Sequence, residues 1–129
     1  MPIEQLRSCL ETGEWDRLAD VYASGALLDA NVPQWRFQRR GVEAIVAQYR
    51  DWYPEPVRLV EWTPTPTAFG AVVEQAEWTV VDGEETYTRS LHLLQVDGGR
   101  IVRHVLYCTG RWNKSTVERH SLEAPLYET

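Results

Sequence analysis

The 129-residue chain reads as an α+β domain, with helices packed on one face of a curved, mainly antiparallel sheet. Two observations carry this expectation. The hydrophobic period is helical as far as Pro54 and strand-like after Pro56. The strand-like half is punctuated by Asp-Gly and Gly-Gly pairs, the residues that tight hairpins use.

Taken in order, "IEQLRSCLETGEW" places Ile3, Leu6 and Leu10 on one helical stripe, and Gly13 ends it. Trp15, Leu18, Val21 and Tyr22 predict a second helix that stops at Gly25. "ALLDANVP" is a short strand closed by Pro33, and "QWRFQRRG" a loop with two aromatic side chains. Gly41 opens a third helix, with Ile45, Tyr49 and Trp52 on one face and Pro54 as its stop. "VRLVEWTP", "FGAVVEQAEWTVV", "TYTRSLHLLQV" and "RIVRHVLYCTG" follow as consecutive strands. "RWNKSTVERHSLEAPLYET" has no clear period. The expectation is one domain over 1–129, with a core of about 3–112 and a C-terminal tail of 113–129.

Bulk chemistry narrows the function. A net charge of −6 without a basic run argues against nucleic acid as a partner. No apolar stretch approaches the length of a membrane span, and the N-terminus lacks the apolar core of a secretory signal. Cys9 and Cys108 lie far apart with no metal-type spacing, as expected of free thiols in the cytoplasm. No phosphate loop, dinucleotide fingerprint or metal cluster is present, so no cofactor and no metal is expected. Six tryptophans and six tyrosines are a heavy aromatic load, pointing to a pocket, an interface or both.

Register decides which side chains meet, because one residue of slip turns every group to the other face. A two-residue Asp82-Gly83 turn pairs Val73 with His92, Gln75 with Ser90 and Glu77 with Thr88. A three-residue Asp97-Gly98-Gly99 loop would place His92 opposite His104 and Ser90 opposite Leu106. A two-residue Gly98-Gly99 turn would send the histidines to opposite faces, and the longer loop is favoured because Asp97 can start the turn. One face then collects Gln75, Glu77, Thr88, Ser90, His92, His104, Leu106 and Cys108. The other collects Trp78, Tyr87, Leu91, Leu93, Ile101, Val105 and Tyr107. A polar pocket face under the helices and an apolar homodimer face behind it are expected.

At these residues the chain resembles the nuclear transport factor 2-like superfamily. The resemblance rests on "GEWDRLADVYASGALLDANVP", "GVEAI" and "DGGRI" in that order, and covers Ile3 to Trp112. It implies a cone: three N-terminal helices packed into a strongly curved sheet. The superfamily includes SnoaL-like polyketide cyclases, ketosteroid isomerases, scytalone dehydratase, limonene epoxide hydrolase and non-catalytic members. By this likeness the isomerase base falls at Ala30, the helix-one tyrosine at Leu6 and the oxyanion-binding acid at His92. His104 takes the position opposite that acid, and Tyr22 and Tyr49 match two tyrosines of the isomerase network. The hydrolase's acid–arginine–acid set has no counterpart, since its last-strand aspartate lands near Leu106.

The candidate catalytic residues are therefore His92, His104 and Glu77. Facing imidazoles suit proton transfer near neutrality and, packed together out of water, should not both be charged. The competing reading is a neutral pair satisfied within the core. Glu77 would orient one imidazole, and a slip of one residue would put Glu74 there instead. The same slip on the first strand would turn Asp29 inward as a reserve base. Tyr22, Tyr49, Trp52, Trp35, Ser90, Leu106 and Cys108 are the candidate substrate-binding residues, with Trp35, Arg36 and Phe37 as a lid. The expected activity is cyclisation, dehydration or isomerisation of a small hydrophobic molecule. A non-catalytic ligand-binding dimer is the alternative.

Overall fold

The computed structural model describes residues 1–128; Thr129, the last residue of the expected tail, lies outside them. Helix α1 spans Pro2–Thr12, and Gly13 closes it at φ 73°, its N–H donating to the Cys9 carbonyl. A short 3-10 helix covers Trp15–Asp20. Strands β1 (Tyr22–Val32) and β2 (Trp35–Arg40) precede α2 (Val42–Trp52). Strands β3 (Arg58–Thr67), β4 (Gly70–Val81), β5 (Glu84–Asp97) and β6 (Arg100–Cys108) follow, and α3 (Lys114–Glu123) ends the fold. The six strands form one sheet in the order β2-β1-β6-β5-β4-β3, antiparallel except for the parallel β1–β6 pair. Register shifts in β1, β3 and β6 bend the sheet around α1 and α2, as bulges do. Leu6, Leu10, Leu18, Leu28, Ile45, Val73 and Ile101 fill the space between, all within one core cluster.

Several expectations need correction. The second helix is a single 3-10 segment, and Tyr22 already belongs to β1. Trp15, Leu18 and Val21 recur every third residue, which is the 3-10 period rather than the α period. "QWRFQRR" is not a loop: Trp35–Arg40 pairs antiparallel with β1 from Val32↔Trp35 to Leu27↔Arg40. This short edge strand is mostly exposed and charged, so it lacks the half-buried alternation that marks a strand. Part of the tail is helical: Asn113 caps α3 by accepting the Thr116 N–H at 2.9 Å. α3 buries no residue, which is why no apolar stripe announces it.

The β5–β6 connection matters most. Asp97 pairs with Arg100, so the turn holds Gly98 and Gly99 alone, at φ 59° and 76°. Positive φ at both central positions suits a type I′ turn, which two glycines enter without strain and an aspartate start does not require. A bulge then leaves Val102 unpaired between Val96↔Ile101 and Gln95↔Arg103. Its extra residue restores the parity that the shorter turn would have lost. His104 lies opposite Leu94 and His92 opposite Leu106, so the histidines share the concave face diagonally rather than directly. Ser90 pairs with Cys108, and Ile101 is buried in the core instead of on the convex face. The β4–β5 hairpin has the expected register throughout, including Gln75↔Ser90 and Glu77↔Thr88.

Candidate active site

Six side chains from five elements join in one string across the concave face. Tyr49 on α2 meets Tyr22 on β1, hydroxyl to hydroxyl, at 3.2 Å. Tyr22 reaches His104 Nδ1 at 2.7 Å, and His104 Nε2 reaches His92 Nδ1 at 2.7 Å. His92 Nε2 contacts Gln75 Oε1 at 2.9 Å, and Gln75 Nε2 contacts Glu77 Oε1 at 2.5 Å. With Glu77 ionised, the direction of every bond follows from that end, because a carboxylate only accepts. Gln75 donates its amide N–H to Glu77 and accepts from His92 Nε2. A neutral His92 then accepts at Nδ1 from His104 Nε2, and a neutral His104 accepts at Nδ1 from Tyr22. Tyr22 in turn accepts from Tyr49.

Burial sets the charge states along this string. Desolvation lowers His92 to about 4. Burial, and then the neighbouring His92, hold His104 well below the usual imidazole range. The histidines are thus neutral near pH 7, as their packing together implies, but the first cause is loss of water rather than mutual repulsion. Burial likewise raises Tyr22 and Tyr49 far above the ordinary phenol range. Glu77 has no exposed surface. Burial pushes it up to about 7, against the pull of Gln75, Tyr53 and Arg111. Its Oε2 has no hydrogen-bond partner. Tyr53 is near enough to be felt, but its hydroxyl does not complete a bond to that oxygen. A carboxylate with one oxygen anchored and the other free, poised near neutrality, is what a general base requires.

A cavity of about 240 Å³ opens at the end of the cone beside this acid. Val32, Pro33, Trp52, Tyr53, Thr88, Ser90, Leu106, Cys108, Gly110 and Arg111 line it. Thr88 is the cross-strand partner of Glu77, so the carboxylate lies next to this wall on the same face of the sheet, without itself lining the cavity. Trp52 and Tyr53 belong to an aromatic cluster with Trp15 and Tyr49, ring centroids 5.5–6.4 Å apart. A larger, more open depression of about 400 Å³ is lined by Glu74, Arg89, Leu91, Tyr107 and Thr109, and shares Ser90 and Cys108 with the first cavity. Among the described residues, no three of His, Cys, Asp and Glu gather as a metal site would need.

No protein-family model matches the chain, and no curated protein does. Solved structures do. A nuclear transport factor 2-like protein from Anabaena variabilis superposes with a TM-score of 0.71 at 16% identity, covering 84% of each chain. The chain has the nuclear transport factor 2-like fold. A Catenulispora acidiphila protein with a ketosteroid isomerase-like fold, solved with trimethylamine, gives 0.68 at 14% identity, over 90% of this chain and 88% of that one. A proposed polyketide cyclase from Xanthomonas campestris gives 0.68 at 17% identity, over 82% and 86%.

Within this nuclear transport factor 2-like cone, the expected residues separate into two groups. Trp52, Ser90, Leu106 and Cys108 line the cavity. Glu77, His92, His104, Tyr22 and Tyr49 belong to the string beside it and do not line it. Trp35 stands apart on β2, 69% exposed. Glu77 faces inward and Glu74 outward. Asp29 is buried but turned away from the concave face, held by Arg36 at 2.9 and 2.7 Å. That guanidinium lowers its carboxyl. Ala30 and Leu6, at the isomerase base and tyrosine positions, are fully buried apolar side chains. Cys108 is no thiolate, because burial pushes it up. Tyr53 and Arg111 were not foreseen. Tyr53 follows Tyr49 by one helical turn, and that spacing could have found it. Arg111 follows the last strand, where no period operates.

Proposed function

We propose that the protein is a cofactor-independent acid/base enzyme, of the cyclase, dehydratase or isomerase kind, acting on a small hydrophobic molecule. Glu77 is its base. The observation that carries this reading is the buried Glu77 carboxylate, with one oxygen unpartnered beside the cavity wall. It would take a proton from carbon and return it to another carbon or to a departing hydroxyl. His92 and His104 are then positioning residues: through Gln75 they fix the anchored oxygen and leave the other free. Trp52, Ser90, Leu106 and Cys108 contact the substrate, while Tyr22 and Tyr49 complete the string. Fold likeness to a proposed polyketide cyclase and to a protein with a ketosteroid isomerase-like fold agrees with this chemistry. The same reading takes the protein as a cytoplasmic homodimer joined through the convex face, where Leu91, Leu93 and Tyr107 are 38%, 41% and 52% exposed.

Deuterium exchange α to the carbonyl of 1-tetralone and related aryl ketones tests the base. The expected result is exchange above the buffer rate that rises through pH about 7 and is lost in Glu77→Gln. Saturable binding without exchange would favour the second reading, a non-catalytic ligand-binding dimer. That reading draws on the absence of both histidines and of Glu77 from the cavity lining.

A further inference from the structure

The cavity lining contains one charged side chain, Arg111; its other nine residues are uncharged. Arg111 forms no ion pair among the described residues, although its charge is felt by the Glu77 carboxyl. It donates instead to the Trp52 carbonyl at 2.5 Å, which ties it across the mouth to the end of α2. The chain on either side is fixed. Gly110, at φ 80°, packs so closely that an added Cβ would lie 2.8 Å from Pro33 Cγ. Trp112 forms a two-way backbone bridge with Tyr87, both bonds at 2.8 Å. Arg111 is thus the middle residue of a short arch pinned at both ends. Its guanidinium keeps free N–H groups, which suit the planar, bidentate geometry of a carboxylate.

Resting on the reading of this cavity as a substrate site, we propose that Arg111 selects ligands that carry a carboxylate, and that their apolar body lies against Trp52 and Leu106. The substrate class is a small hydrophobic carboxylic acid. An overall charge of −6 gives anions no general reason to approach, so selectivity for a carboxylate has to come from a local cation. Arg111 is the only one in the lining. The Thr88 and Ser90 hydroxyls offer further polar contacts deeper in, beside Glu77.

Binding of 2-naphthylacetate and its neutral isostere 2-naphthylacetamide, followed by calorimetry and tryptophan fluorescence, tests the proposal; phenylacetate and phenylacetamide form a smaller second pair. The acids should bind more tightly than the amides, and Arg111→Gln should weaken the acids about ten- to a hundredfold while leaving the amides within about twofold. Arg111→Lys should retain part of the preference, and Arg39→Gln, away from the cavity, should change nothing. Equal binding of acid and amide, or a preference that survives Arg111→Gln, overturns the role of Arg111 and leaves the cavity standing. Failure of all four compounds to bind overturns the cavity as a small-molecule site, and this proposal with it.

Discussion

Glu77 and the histidines pull stability in opposite directions with pH. Folded, Glu77 keeps its proton up to about 7, against 4.5 for the ordinary carboxyl. Between those values the folded state holds the extra proton, so its contribution is full below 4.5 and is lost as pH rises to 7. His92 stays neutral when folded down to about 4, whereas an unfolded imidazole takes a proton below 6.5, so stability is lost as pH falls below 6.5. Glu77→Gln removes the first slope. It should match the unmodified protein near pH 5 and exceed it at pH 8, by up to about 3 kcal/mol, in urea unfolding. Its turnover should fall about 10²–10⁴-fold. His104→Leu strands the Tyr22 hydroxyl and His92 Nδ1 and should cost about 1–3 kcal/mol for each group left unpaired. His104→Gln can accept from one and donate to the other, so the same unfolding measurement should find it clearly milder. Glu77 was legible because an Asp-Gly hairpin has one natural register. The string was not, since tautomers and direction depend on distances that no sequence pattern carries.

The elements were legible in proportion to how far one face of each is buried. α1, α2 and β4 to β6 each carry a stripe or alternation against the core and were found at nearly their observed bounds. β2 and α3 bury almost nothing, and their signals lie in a partner strand and an asparagine cap. The bulge at Val102 shows how two errors cancelled. The assumed three-residue loop was wrong, and so was the regular pairing beyond it, yet the histidines reached the same face. Gly70 gives an element-scale test. A Cβ there would lie 2.0 Å from the Leu94 carbonyl oxygen, a backbone atom on the central strand that cannot yield cheaply. Gly70→Ala should therefore force β4 and β5 apart at their Gly70↔Gln95 end. A loss of several kcal/mol, at the upper end for a single substitution, should be seen in thermal unfolding (~4 kcal/mol). Gly83→Ala, in a positive-φ turn with open space around it, should cost only about 1 kcal/mol by the same method.

For the whole molecule, the proposed dimer through the convex face is open to a direct test. Leu91→Lys would bury an unpaired ammonium in a dimer formed there. Sedimentation should show the unmodified chain as a dimer and this variant as a monomer with unchanged circular dichroism. The expected face was legible from alternation along β4 to β6, except at Ile101, which the bulge turns into the core. Trp112 also covers part of it, its ring centroid 5.7 Å from that of Tyr87. The string from Tyr49 to Glu77 binds α2, β1, β6, β5 and β4 into one circuit. With Glu77 ionised, every proton in it points the same way, and none can leave for solvent unless its neighbours turn round as well. Imidazole N–H protons normally trade with water too quickly to observe. Here two of them, on the Nε2 atoms of His92 and His104, should persist as resolved downfield NMR lines in water above the Glu77 value of about 7, and both should vanish when any one member of the circuit is replaced.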